Sequence, residues 1–177
     1  MIQSIRAKTI ATLFVCLSAS ATPVFANSCK TERFKKFNDI TKANYVLVNQ
    51  KPDPDLISRM DAYEIVCPWQ VEQDFDGDRK RDWVGLIYKD KKYILAGFVT
   101  GGGRAKAFEI KSFDYFPIRT HFDHIRLKEF SLLADKKQGV SKSLLNGLVE
   151  YRIGKKAIVY QWDGTTMKEI GTFPGKY

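Results

Sequence analysis

Histidine and cysteine are scarce in this chain: two histidines and three cysteines stand among 177 residues. With no third histidine, an imidazole-based zinc centre lacks ligands, and His121, Asp123 and His124 ("HFDH") read as surface polar groups before a metal or general-base set. On an extended strand two histidines three apart point to opposite faces. No G-x-S-x-G, H-E-x-x-H or S-x-x-K pattern occurs, so no residue is assigned a catalytic role. C-x-x-C spacing is missing too, which argues against a redox dithiol. Beyond residue 26 no run nears the roughly 18–20 consecutive apolar residues of a membrane span. These absences favour binding or interaction over catalysis.

What is present begins with an export signature. Arg6 and Lys8 form a basic n-region, "TIATLFVCLSASA" (Thr9 to Ala21) is a short apolar run, and Ala26 puts a small residue before the expected cut. The expected organisation is a signal peptide over 1–26 and one globular domain over 27–177, long enough for one core. The expected location is periplasmic or secreted. Neither Cys16 nor Cys29 stands in a lipoprotein box. Cys16 would leave with the signal, so Cys29 and Cys67 remain as an even pair in an oxidising compartment. A disulfide between them would close a loop of roughly forty residues, worth about 3–4 kcal/mol in the chain-entropy model.

Basic residues exceed acidic ones, 29 against 20, for a net charge of +9. They come in scattered pairs ("FKKF", "DKKY", "DKKQ", "GKKA"), the pattern of turns and solvated faces, so nucleic acid is not an expected partner. An acidic protein of the cell envelope is. An inhibitor or immunity-type protein that neutralises a toxin or enzyme fits this profile. The alternative is an envelope hydrolase acting on glycan or peptidoglycan, with paired carboxylates in a groove. Trp69, Trp83 and Trp162 read as core first and as a carbohydrate surface second. "GGGR" (Gly101 to Arg104) reads as a flexible loop whose amides and cation offer a minor anion contact.

Periodicity predicts an α+β fold, mainly antiparallel sheet in hairpins and meanders, with an N-terminal helical segment. Phe34, Phe37, Ile40 and Tyr45 fall near helical spacing. "KPDPD" then breaks helix, and Asp55 is the expected cap of a short helix through "LISRMDAY". Strands are expected in "YEIVCPWQV", "DWVGLIYK", "KYILAGFVT" and "AFEIKSF", with "YKDKKY" as a hairpin turn. "DYFPIRTHFDH" reads as irregular because of Pro117, with "IRLKEFSLL" after it. "LVEYRIGKKAIVYQWDGTTMKEIG" reads as a meander with turns at "GKK" and "DGT". "LIYKDKKYILAG" and "VEYRIGKKAIVYQ" echo each other as apolar runs paired across a basic turn.

The densest chemistry is in "QDFDGDRKRDWVGL". Asp74, Asp76, Asp78 and Asp82 occupy loop positions 1, 3, 5 and 9. Calcium takes six to eight oxygens from such carboxylates, from carbonyls and from water, and Lys80 at position 7 offers its backbone carbonyl. Gly77 permits the tight turn. An EF-hand is excluded, since its bidentate Glu would stand where Gly85 is. The same residues also suit a metal-free turn in which "RKR" offsets carboxylate repulsion.

"DFDGDRKRDWVGLIY" resembles the D-x-[DN]-G-D-G-x-x-D loop of FG-GAP/VCBS-type β repeats, and is nearest to small exported bacterial proteins of unknown function that carry one such loop. The resemblance implies an Asp-rich turn between strands, often calcium-holding, and blade-like hairpins such as "IVYQWDGTTMKEI". It covers some fifteen residues strongly. The chain departs from the pattern at Arg79, where the second glycine would stand.

Overall fold

The computed structural model describes residues 29, 31–48, 50–63, 65–125 and 146–174. The expected signal segment and nearly all of "IRLKEFSLL" lie outside them. Within them the fold is α+β: two antiparallel sheets and an N-terminal helix.

Helix α1 (Thr31–Thr41) presents Phe34, Phe37 and Ile40 along one face, and Phe37 is buried. It stops at Lys42, which takes a left-handed φ of 53°. The Asn38 side chain then holds Tyr45, accepting from its N–H at 3.2 Å and donating to its carbonyl at 3.1 Å. Tyr45 therefore lies past the helix that its spacing suggested. Helix α2 (Pro54–Tyr63) corrects a second expectation. Its cap is Asp53, not Asp55: the Asp53 side chain accepts the Asp55 N–H at 3.0 Å and its carbonyl accepts the Ile57 N–H at 2.9 Å. Proline at the first helical position explains the choice, because that position needs no N–H.

The first sheet contains β1 (Val46–Leu47), β2 (Gln70–Val71), β3 (Trp83–Lys89), β4 (Lys92–Val99) and β5 (Lys106–Phe113). Both short strands pair with the same edge of β3, β1 at Ile87 and Tyr88, β2 at Val84 and Gly85. Among the described residues of "YEIVCPWQV" only β2 becomes strand; Val66, exposed, and the disulfide half-cystine Cys67 precede it. Between β3 and β4 the pair Lys89↔Lys92 closes a two-residue turn, with Asp90 and Lys91 at φ 51° and 63°. That is the primed geometry whose twist matches a hairpin.

The second sheet is a meander in chain order: β6 (Thr120–His124), β7 (Leu148–Arg152), β8 (Ala157–Trp162) and β9 (Met167–Phe173). Strand β6 falls in the stretch expected to be irregular. Pro117 ends before it, so the ring takes no place in the ladder. The two echoing segments are the β3–β4 and β7–β8 hairpins, the central pair of each sheet.

Alternation along the strands builds the core. Val84, Leu86, Leu95, Val99 and Phe108 of the first sheet meet Phe122, Leu148, Tyr160 and Met167 of the second. Trp83, Ile87, Ala96 and Phe98 point the other way, under Phe37 of α1. The Trp83 indole lies over Gly85, where any Cβ would overlap its ring. On the far side of the second sheet sit Val149, Tyr151, Val159 and Phe173. The disulfide Cys29–Cys67 ties the approach to α1 to the approach to β2.

One polar group interrupts the interface between the sheets. Glu150 of β7 is fully buried; Lys111 and Tyr160 meet its Oε2, the tyrosine hydroxyl donating at 2.7 Å, and Arg152 Nε donates to Oε1 at 2.6 Å. Lys111 reaches this place through a β-bulge. The register passes from Leu95↔Lys111 to Ala96↔Glu109, so Ile110 is the extra residue and both it and Lys111 face the second sheet.

The β8–β9 turn is held by Asp163, whose Oδ1 accepts the N–H groups of Thr165 and Thr166, both at 2.8 Å, while Lys168 lies 2.7 Å from Oδ2. The Lys168 ammonium first, then the Thr165 hydroxyl and the two amides, keep the Asp163 carboxyl well below the ordinary 3.8. A depressed carboxyl stabilises the fold fully above its unfolded value and loses that contribution as pH falls through its folded one. Asp163→Asn is therefore expected to lower the melting temperature at neutral pH and to flatten its decline below about pH 4. Parallel acid-melting curves for variant and parent would contradict this.

Candidate metal site

The Asp loop links β2 to β3. Asp74 anchors its first half, Oδ1 accepting the Gly77 N–H at 2.7 Å and Oδ2 the Arg79 N–H at 2.9 Å. Asp76 accepts the Asp78 N–H at 3.1 Å, and Asp78 accepts the Lys80 N–H at 2.8 Å. These short-range bonds curl the chain, and Gly77 at φ 83° completes the turn. Arg79 takes φ 67° where the resembling pattern has glycine. It therefore bears the steric strain of the left-handed region in order to keep the curl.

The curl brings Asp74, Asp76 and Asp78 together, each offering an oxygen within 4.8 Å of the others. Such an all-carboxylate set suits a hard divalent cation. Like charges are in tension there. Partial burial, and after it the carboxylates of Asp78 and Asp74, push the Asp76 carboxyl above its ordinary value, against the bond from the Asp78 amide. Asp78 moves the other way, lowered by the Lys80 amide and by the Lys80 ammonium 3.3 Å from it. A bound cation would relieve the repulsion on Asp76, and Lys80 at present supplies part of that relief for Asp78.

Asp82, the fourth carboxylate of the pattern, stands outside the three. It is fully buried; Oδ2 accepts the Phe75 N–H at 2.9 Å and Oδ1 accepts the Thr100 N–H at 2.9 Å and hydroxyl at 3.2 Å. Burial raises its carboxyl above the ordinary value despite those bonds. Its place is that of a clamp, one oxygen on the Asp loop and the other on the Gly loop after β4. Lys80 lies in the loop with its amide on Asp78.

Two features that the sequence presented separately are thus side by side. The Asp76 carboxylate lies directly against Gly101, where a Cβ would collide with it. The Gly loop divides two open clefts. One, about 520 Å³, is bounded by Asp76, Gly101, Arg104, Lys106, Trp162 and Gly164. The other, about 430 Å³, is bounded by Arg33, Lys36, Lys80, Arg81, Thr100 and Gly103. Trp69 and Trp83 are core residues, at 3% and 0% exposure, which leaves Trp162 as the half-buried aromatic at a cleft. His121 is buried and stacks on Tyr151 at 4.8 Å, while His124 pairs with Asp123 at 2.9 Å, so the two rings serve different surroundings. Arg33 and Lys106 had drawn no attention in the sequence, where nothing marks residues of α1, the Asp loop and the start of β5 as neighbours.

No protein-family model matches the chain, and no curated protein or solved structure matches it either.

Proposed function

We propose that this is an exported binding protein of the periplasm or cell exterior whose Asp loop holds calcium and steadies the wall of a ligand cleft. The observation that carries the reading is the convergence of Asp74, Asp76 and Asp78, with Asp76 against Gly101 at the rim of the larger of the two clefts. Calcium's preference for several flexible oxygen ligands matches this set, with the Lys80 carbonyl and water to complete it. A structural role follows from position: the loop sits between two strands and is clamped by Asp82. A glycan hydrolase would need two carboxyls about 5–10 Å apart in such a cleft. Among the residues bounding the two clefts the acids reduce to Asp76.

Calorimetric titration of the oxidised protein with calcium tests the proposal. One site is expected, abolished in Asp76→Ala/Asp78→Ala. At free calcium a hundredfold above Kd the fold gains about 2.7 kcal/mol, a rise in melting temperature of about 5–10 °C. No heat and no shift at millimolar calcium would make the loop a self-capped turn.

A further inference from the structure

Six basic residues that lie apart in the sequence are gathered around the Gly loop. Arg33 and Lys36 come from α1, Lys80 and Arg81 from the Asp loop, and Arg104 and Lys106 from the loop's exit into β5. Some are partly engaged: Arg33 lies 3.8 Å from Glu72, Lys80 3.3 Å from Asp78, and Lys36 sits over the Phe98 ring at 5.0 Å. Arg81 and Arg104 are exposed and make no ion pair among the described residues. Lys106 stands 5.9 Å from the centre of the Trp162 ring, whose other support is buried Phe108 at 5.0 Å.

We infer that the two clefts form one subsite for an anionic polysaccharide, a glycan bearing sulfate, phosphate or carboxylate groups. Arg81 and Arg104 hold its acidic groups from either side of the Gly loop, and Trp162 carries the apolar face of a sugar ring. Guanidinium forks match such oxyanions in two-point contact. The shape selects among polyanions. Each cleft has the volume of a small-ligand site, whereas a protein partner takes about 800 Å² of broader surface. Single-stranded nucleic acid is held by a series of stacked aromatics, and here one ring serves. This inference deepens the binding reading by naming the ligand class, and it needs no calcium.

The test uses the purified protein and three probes of matched charge, a heparin octasaccharide, poly-glutamate and a single-stranded oligonucleotide. Binding is measured by calorimetry in chelator and again in millimolar calcium. The octasaccharide is expected to bind most tightly of the three. Arg81→Glu/Arg104→Glu should weaken it more than about tenfold. Lys155→Glu/Lys156→Glu makes the same charge change in the β7–β8 turn, at the end of β8 away from Trp162. It should change binding less than about twofold. Melting temperatures near that of the parent confirm that both variants fold, as expected for exposed side chains. Absence of octasaccharide binding, equal losses in the two double variants, or tighter binding of either other polymer would overturn the inference. Octasaccharide failure with the calcium heat intact would remove the ligand class alone. Octasaccharide binding in chelator without any calcium heat would support the glycan subsite and remove the calcium loop.

Discussion

Glu150→Ala is expected to cost about 3 kcal/mol of folding stability and lower the melting temperature by roughly 6–12 °C. Truncation leaves the Lys111 ammonium and the Tyr160 hydroxyl facing each other at 2.8 Å inside the sheet interface with no carboxylate between them. An unpaired buried charge is what makes removal of one partner expensive, by about 3–5 kcal/mol in deeply buried pairs. The low end applies because Lys111 and Arg152 keep 24% and 32% of their side-chain surface in water. Burial already lowers the Lys111 ammonium from 10.5, while Glu150 pulls it back up. Without Glu150 it falls further, so the cost should shrink at alkaline pH, where a neutral lysine sits in the interface at less expense. Replacing Glu150→Leu, Lys111→Met and Tyr160→Phe together is expected to cost much less than Glu150→Ala, since the part-exposed Arg152 is then the one charge that loses its partner. Urea unfolding at pH 7 and pH 10 reads all of this. A loss below about 1 kcal/mol at pH 7 would show that the sheets do not depend on this pair.

Reduction of Cys29–Cys67, or Cys29→Ser/Cys67→Ser, is the second large effect. The bridge spans 38 positions, and loop-closure entropy puts its contribution at roughly 3–4 kcal/mol. The loss has a local signature as well. The half-cystine at 29 precedes α1, whose Phe34 and Phe37 rings lie 6.4 and 5.6 Å from that of Trp83. With the bridge cut, α1 can leave the sheet while β3, β4 and β5 stay paired, so a protease should cut between α1 and α2 before it cuts the strands. Melting with and without reductant measures the first effect, and mapping the earliest cleavage measures the second. A change in melting temperature under about 3 °C would contradict the entropic account.

The sheets were legible where the signal was local. The β3–β4 hairpin, the β7–β8–β9 meander and the Cys29–Cys67 pairing all follow from period-two apolar runs, turn residues and an even cysteine count. Strand β6 was not, because Pro117 sits three residues ahead of Thr120 and masks a strand that begins after it. The Asp53 cap was missed because Pro54 suits the first turn of a helix as well as it breaks an interior one. At the candidate site the three clustering carboxylates were readable from spacing alone. The position of Asp82 was not, since its partners Phe75 and Thr100 are 7 and 18 residues away. The bulge at Ile110, which turns Lys111 toward Glu150, has no sequence signature, and Arg33 and Lys36 join the cations of the two loops only once α1 packs over the first sheet.

The outer edge of β3 is covered by two strands of two residues each, β1 and β2, rather than by one long strand. A continuous outer strand would present a row of free N–H and C=O groups on which a second molecule can add its own strand. Two short ones leave no row of that length. The other long border, β5, has β9 beside it, with the Thr166 hydroxyl donating to the Glu109 carbonyl at 3.2 Å. The interrupted edge thus offers a second molecule only short stretches on which to extend the first sheet.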